Sequence, residues 1–364
     1  MDERLRPLLD SGPAWLAAGG PDEDVVVAAR VRLARNLATG PFPQQMDHDA
    51  AEGLVTAARE ALDGEADGAC ALDPSDLPDA DAEFLVERSV ATRDLLHGGR
   101  PCLLWFVPDG LRGLMVNEED HFRIQGFAAG AALEAAWQNA RTVERRLRKR
   151  FRFAASEQYG YLTSCPSNVG SGLRGSLLLH LPAMARAKAP MQRTLQAARS
   201  ASLEVRGVHG EGSRALGNLY QISNQRTLGT QAEDQLRAVV DFGREVAAYE
   251  RATRKRMGED PGARRELTDE VRRAATLLRD AAGMATSEAL DVLSKLRLGA
   301  LCGVAEEAEA PVDERLLLQL CFRLQPGHLQ AHLGRVMAPA ERDTVRVASI
   351  REALGVRPDE GGAG

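Results

Sequence analysis

Apolar positions along the chain change their period several times, and each change predicts an element. Val25-Val26-Val27 is a short continuous apolar run of the kind a buried strand needs. It leads into an Arg-rich stretch that reads as a loop and stops at Pro41-Phe42-Pro43. Cys102 to Val107 and Gly113 to Val116 predict two further strands, and Leu177-Leu178-Leu179 and Leu203-Glu204-Val205 two more. After His121 the spacing turns helical: Leu133, Trp137, Ala140 and Leu147 fall on one face of a helix that ends in the basic run Arg145 to Arg150. Asp63 to Glu83, rich in Asp, Ala, Gly and Pro, has too few large apolar groups for a core and reads as an exposed acidic loop. The irregular alternation of strands and helices points to a mixed α+β domain rather than a doubly wound sheet.

Beyond Arg254 the strand signals vanish. Gly258, Pro261 and Gly262 interrupt the helical pattern, so 256–263 reads as a linker between a larger domain over 1–255 and a small all-α domain over 264–357. In the latter, Thr286 and Ser287 are placed to cap a helix carrying Leu290, Leu293 and Leu296, with Gly299 after it, and three or four such helices are expected. The polar, Gly-rich tail over 358–364 reads as disordered.

Composition narrows the chemistry. The 364 residues carry 52 acidic and 46 basic side chains, a formal net charge of −6, which argues against a general nucleic-acid or membrane-surface protein. The amino terminus is charged at once and no apolar run of membrane-spanning length follows, so a cytoplasmic protein is expected. Of the basic residues 42 are Arg and only 4 are Lys, a bias that a GC-rich genome largely explains. None of the lysines closes a phosphate-binding G-x-x-x-x-G-K-[ST] loop or sits in a V-A-I-K strand, so any nucleotide must be held by arginine. The five cysteines are scattered without a C-x-x-C pair and read as reduced thiols, and His328 and His332, though at i and i+4, form no H-E-x-x-H motif and show no obvious carboxylate ligand in the sequence around them; no metal site is expected. Gly170 to Gly175 matches G-x-G-x-x-G outside any βαβ unit, and Asp241-Phe242-Gly243 lacks the other kinase motifs, so both are discounted.

Four polar clusters remain. Arg30-Val31-Arg32-Leu33-Ala34-Arg35-Asn36 places Arg30 and Arg32 on one side of a strand. Asn117-Glu118-Glu119-Asp120-His121-Phe122-Arg123 packs three acids beside an arginine, Tyr161 to Arg174 carries Cys165 on a small-residue loop, and Arg206 to Gly212 adds one Arg and Glu211. Together they pair arginines suited to a triphosphate with carboxylates and a thiol suited to a cation. A guanidinium attacks phosphorus only after losing a proton, which two carboxylates and a thiolate are equipped to manage by alignment and charge.

At these residues the sequence resembles the guanidino (phosphagen) kinases, and more closely the bacterial protein-arginine kinases of the McsB type. The resemblance rests on the strings at 30–36, 117–121, 160–170 and 210–213, continues through Ser223-Asn224-Gln225 and Thr227-Leu228-Gly229, and resumes at Leu296 to Gly299 and Gln325 to Gln330. It implies a guanidino-kinase catalytic domain, an antiparallel sheet flanked by helices, followed by the helical domain. It assigns Glu119 as the carboxylate that takes the proton, Glu211 as the second carboxylate, Cys165 as the thiolate, and Arg30, Arg32, Arg123, Arg174 and Arg206 as the ATP-phosphate ligands, with Mg2+ carried by the nucleotide. Only 29 residues precede Arg30, too few for the helical domain of the small-molecule enzymes, so protein arginine is the expected substrate; a small-molecule guanidino kinase and a weakly active adaptor are the alternatives. The resemblance also implies a homodimer, an activator protein, a Clp-type unfoldase as partner, and a phosphoarginine-binding motif at Arg342, Asp343 and Arg346. Two positions depart from it: Val347 replaces the usual alanine, and Ser89 stands where a nucleotide-contacting histidine is usual, with His97 nearby.

Overall fold

The computed structural model describes residues 1–357 apart from 12, 18 and 209–214. The strands are β1 Val26–Arg35, β2 Cys70–Leu72, β3 Leu103–Phe106, β4 Arg112–Val116, β5 Phe122–Ala129, β6 Ala155–Ser156, β7 Gly160–Tyr161, β8 Leu173–His180, β9 Leu203–Gly207 and β10 Leu219–Asn224. The helices are α1 Arg6–Ser11, α2 His48–Leu62, α3 Asp79–Glu87, α4 Arg93–His97, α5 Leu133–Arg148, α6 Pro182–Arg186, α7 Lys188–Ser200, α8 Ala232–Glu259, α9 Pro261–Asp280, α10 Thr286–Leu301, α11 Glu314–Arg323, α12 Pro326–Leu333 and α13 Pro339–Leu354. By internal packing the chain forms two units: one of residues 1–179, 195–205 and 221–245, the other of 180–194, 206–220 and 246–364.

An eight-stranded sheet in the order β2-β3-β4-β5-β1-β8-β10-β9 organises the first unit. Its centre is the antiparallel trio β5-β1-β8, in which Val31 faces Gly126 on one side and Gly175 on the other. That row is where helices press closest. A Cβ on Gly126 would lie 2.1 Å from the Ala136 carbonyl oxygen of α5, and one on Gly175 would lie 2.4 Å from Leu236 of α8. Side chains alternate along a strand, so this covered face holds Ala29, Val31 and Leu33 while the other face takes Arg30 and Arg32. The Arg-rich stretch read as a loop is therefore the strand itself. It stays extended because every second residue is apolar and buried against helices.

Elements also form inside 63–83, against expectation. Cys70–Leu72 pairs with β3, and Asp79 starts α3, which buries Phe84 and Leu85. Pairing to an existing strand edge and two large apolar residues at the end of the segment suffice to order it.

The second unit is mostly helical. The stretch 256–263 is not an extended linker: α8 runs to Glu259 and α9 begins at Pro261, with Asp260 alone between them. Asp260 caps α9 by accepting the Ala263 N–H at 2.8 Å, and Pro261 occupies the first turn, where its missing N–H costs nothing. Thr286 opens α10 as its first residue rather than as a cap, and Gly299 lies within that helix. A Cβ on Gly299 would meet Val271 of α9 at 2.8 Å, so the glycine is what lets the two helices touch. Among the described residues, five helices follow Asp260. The tail over 358–364 lies outside the described residues.

Candidate active site

Cross-strand register gathers the arginines of three separated motifs. Arg32 on β1 stands directly opposite Arg174 on β8 and Gln125 on β5, while Ala34, two residues on, stands opposite Arg123. Directly paired residues and residues two apart share a face, so Arg30, Arg32, Arg123 and Arg174 occupy one side of the sheet, the side without the glycine row. Mutual repulsion and burial act on them together. Burial, reinforced by Arg123 and Arg174, pulls the Arg32 guanidinium down to about 10, against the partial support of Glu118 and Glu119. Burial first, then Arg32 and Arg123, holds Arg30 well below the usual arginine range.

Part of this charge is anchored. Arg30 donates to Gln125 Oε1, and Gln125 Nε2 donates to the Val90 carbonyl at 3.0 Å. Arg174 bonds Glu204 and donates to Ser223 Oγ at 3.0 Å. Nevertheless Arg30 Nε and Arg174 Nε are buried donors with no acceptor among the described residues. Orphaned N–H groups within a cluster of like charges are what an anion with several acceptor oxygens would satisfy, and the face fits a nucleotide's phosphates on that ground.

Two loops bring acids and a thiol to its edge. Asn117 to His121 form the tight connection between β4 and β5. Asn117 takes a left-handed φ of 60° and its N–H bonds the His121 carbonyl at 3.1 Å; asparagine is among the few non-glycine residues that adopt this conformation readily. The turn carries Glu118 and Glu119 back over Arg123, whose guanidinium donates to Glu118 Oε1 at 2.7 Å and to Glu119 Oε2 at 2.9 Å. Glu118 is fully buried and also accepts from Thr92 Oγ1 at 2.7 Å and from the Glu119 N–H at 2.8 Å, so it fixes both its neighbours. Glu119 remains partly open to solvent, and burial, with Asp120 and Glu118 beside it, raises its carboxyl above the ordinary range despite Arg123. A cavity of about 530 Å³ opens against it, lined by Pro41, Phe42, Gln44, Gln45 and Ser164.

Asp120 ties this turn to the cysteine loop: its Oδ1 accepts the Asn36 amide at 2.6 Å and the Ser164 backbone N–H at 2.7 Å. Cys165 follows, half-buried, with its Sγ 3.0 Å from Ser167 Oγ. Gly170 closes the loop at φ 113°, where a Cβ would lie 2.2 Å from the Thr227 carbonyl oxygen, so no other residue fits. His121 is buried and its pKa falls to about 4, which leaves it neutral; its Nδ1 accepts the Leu37 N–H at 3.2 Å.

The other sequence-derived positions are less gathered. Arg206 is exposed near the end of β9 and belongs to the second unit, while Glu211 lies outside the described residues. Ser89 takes φ 60° at the end of α3, and His97 is exposed at the end of α4. On α13, Arg342 is half-buried, but Arg346 is buried, and its guanidinium is spent on the Leu324 and Met284 carbonyls and on Asp343. Arg346 thus orients Asp343 instead of presenting donors of its own. Val347 is 1% exposed and packs in the helical core. Glu118, Asp120 and Gln125 are the site residues that motif reading passed over. The first two sit inside the Asn117–His121 string, and Gln125 follows Arg123 at a spacing of two, the signal that would have found it.

The family model for the ATP:guanido phosphotransferase C-terminal catalytic domain matches residues 54–253, and that for the protein-arginine kinase McsB C-terminal domain matches 264–361. The protein-arginine kinase of Moorella thermoacetica is 37% identical over 95% of this chain and 98% of its own, and that of Geobacillus stearothermophilus 36% identical over 94% and 93%. Among solved structures, lombricine kinase shares the fold with a TM-score of 0.56 at 20% identity, over 65% of this chain and 69% of that one. A duplicated taurocyamine kinase from Schistosoma mansoni does so with a TM-score of 0.57 at 24% identity, over 67% and 35%. The chain is therefore a member of the ATP:guanido phosphotransferase family and, by the McsB domain behind its catalytic domain, of the protein-arginine kinase branch.

Proposed function

We propose that the protein transfers the γ-phosphoryl group of ATP to arginine side chains of other proteins. The observation that carries this is the arginine face of the sheet, with orphaned donors on Arg30 and Arg174, joined through Arg123 to the half-open carboxylate of Glu119. Arg30, Arg32, Arg123 and Arg174 hold the triphosphate. Arg206 joins them, and Glu211 flanks the substrate, on the strength of the motif match. Magnesium arrives on the nucleotide and neutralises part of its charge.

The substrate guanidinium enters through the cavity beside Gln44 and Ser164 and lies against Glu119. Glu119 takes one N–H proton, and the freed nitrogen lone pair forms the N–P bond as the bond from phosphorus to the ADP oxygen breaks. A raised carboxyl pKa suits a base, because it brings proton affinity nearer that of the group it must relieve. Cys165, beside Ser167, fixes the plane of the guanidinium. Most of the acceleration comes from alignment and from charge stabilisation by the arginines.

By resemblance, the enzyme works in the cytoplasm as a homodimer under an activator protein, its products are handed to a Clp-type unfoldase, and Arg342 and Asp343 bind phosphoarginine. The test is incubation with magnesium ATP and either a protein substrate or free arginine, followed by mass spectrometry for acid-labile phosphoarginine. Phosphate on the protein supports the reading. Phosphate on free arginine alone replaces it with a small-molecule kinase, and no transfer replaces it with an adaptor.

A further inference from the structure

Leu33 and Arg35 point to the helix-covered side of β1, and there a cavity of about 750 Å³ lies between α5, the β6–β7 hairpin, the Gly170–Ser171 turn and the first residues of α8. This is the size of a ligand site, on the opposite face of the sheet from Arg30 and Arg32. Four arginines line it, Arg35, Arg141, Arg145 and Arg148, against only Glu144 and Glu233. Glu144 is already committed, accepting from Arg35 Nε at 2.7 Å and from Arg148 at 3.3 Å. The uncompensated charge falls on Arg141 and Arg145, neither of which has a carboxylate partner among the described residues: Arg141 lies over the Trp137 ring at 4.9 Å, and Arg145 donates to Thr142 Oγ1 at 3.1 Å.

The aromatic lining is as specific as the charge. Arg35 stacks over Tyr161 at 3.6 Å and Arg148 over Phe153 at 5.1 Å, so the wall already accommodates planar guanidinium groups. At the mouth Tyr159 and Leu228 are 46% and 50% exposed, large apolar groups of the kind that cover residues flanking a bound side chain.

The geometry points to a second binding site here, for a phosphoarginine side chain carried on a polypeptide. Its dianionic phosphoryl group meets Arg141 and Arg145. Tyr161, Phe153 and Trp137 already carry guanidinium groups of the wall, so its planar guanidine meets the exposed ring of Tyr159, and its neighbours in sequence reach Leu228. The inference rests on the proposed function, since the ligand is that reaction's product, and the site is separate from Arg342 and Asp343. Occupancy bears on catalysis through shared residues. Thr227, which lines the cavity, has its Oγ1 2.9 Å from the Ser167 carbonyl and 2.7 Å from that of Val169, within the loop that carries Cys165.

The test uses the full chain with Arg342→Ala, which removes the other candidate site, and a fluorescent synthetic peptide bearing a phosphonate analogue of phosphoarginine that cannot be turned over. Anisotropy should show binding that the added Arg141→Ala and Arg145→Ala changes weaken about tenfold. The matching arginine and phosphoserine peptides should bind more weakly by a similar factor, and magnesium ATP should not displace the probe. Arg141→Gln with Arg145→Gln, which keeps side-chain bulk, should behave as the alanine pair, and phosphorylation of a protein substrate without the peptide should be unchanged. Undiminished binding in both double variants, equal binding of the phosphoserine peptide, or displacement by magnesium ATP overturns the site. Because the probe is synthetic, binding is read whether or not the chain has kinase activity: an inactive chain that binds refutes the proposed function, and an active chain that does not bind refutes this site alone.

Discussion

Arg32 in the sheet and Arg346 in the helical unit are both largely withdrawn from water, yet their surroundings are built on opposite principles. Arg346 has acceptors on Nε and Nη1: the Leu324 carbonyl at 2.9 Å, the Met284 carbonyl at 2.7 Å and Asp343 at 2.6 Å. Arg297 is treated likewise, donating to the Glu314 carbonyl and meeting His180 Nδ1, and Arg351 closes the end of α9 by donating to three carbonyls. Around Arg32, by contrast, the nearest charges include Arg30, Arg123 and Arg174, and neighbouring donors go unmet. Burying a charge is tolerable when its hydrogen bonds are complete and costly otherwise. Arginine bonded as Arg346 is serves the fold, whereas the open donors on the sheet face are, on the proposed function, those an anion fills.

The largest effect that sharpens this contrast is expected where the open arginines meet the carboxylates. Glu119→Gln should lower the rate of transfer by about 10³-fold in a phosphoarginine assay, while nucleotide binding persists. The wild-type rate should climb with pH through a carboxyl value above the ordinary range, a limb missing from any residual activity of the variant. The sign for stability is opposite. A carboxyl raised in the fold favours the acid form, so its contribution is fullest below the unfolded value of 4.5 and is lost as pH rises through the folded one. Glu119→Gln should flatten that part of the urea-unfolding profile.

Next, Arg32→Met should lower transfer about 100-fold, the scale set by removing one charge-stabilising donor, without destabilising the fold. Arg346→Met should do the reverse. It leaves Asp343 facing a lost partner, and chemical denaturation should show about 3 kcal/mol less stability with the KM for ATP unchanged. The smallest effect concerns Val347. Its side chain fills the helical core, so Val347→Ala should cost about 2 kcal/mol and leave phosphoarginine-peptide affinity within error.

Much of this contrast was legible along the chain, though unevenly. Alternation put Arg30 and Arg32 on one side of the chain wherever it is extended, although the same stretch also read as a loop, and the apolar runs at 102–107 and 177–179 were visible as strands. That Arg123 and Arg174 come to the same face was not, because it depends on which residue of β5 and β8 lies beside Arg32, and register is a tertiary fact. Asn117 to His121 was readable as chemistry but not as a turn, since its shape rests on one left-handed asparagine. Gly258 misled for a related reason: a glycine within a long helix weakens it locally, but 28 residues of α8 override that preference, and the break waits for Asp260. The saturation of Arg346 was invisible, because its acceptors are carbonyls 22 and 62 residues away.

The most direct measurement is the thermal midpoint of Arg32→Met beside Arg346→Met, each with and without magnesium ATP. Arg32→Met should melt at or above the wild-type temperature without nucleotide and gain little when nucleotide is added, whereas Arg346→Met should melt lower and keep the full nucleotide-induced gain. If Arg32→Met instead melts as low as Arg346→Met and still responds to ATP as the wild type does, the arginine face of the sheet is structural, and the account of the site fails.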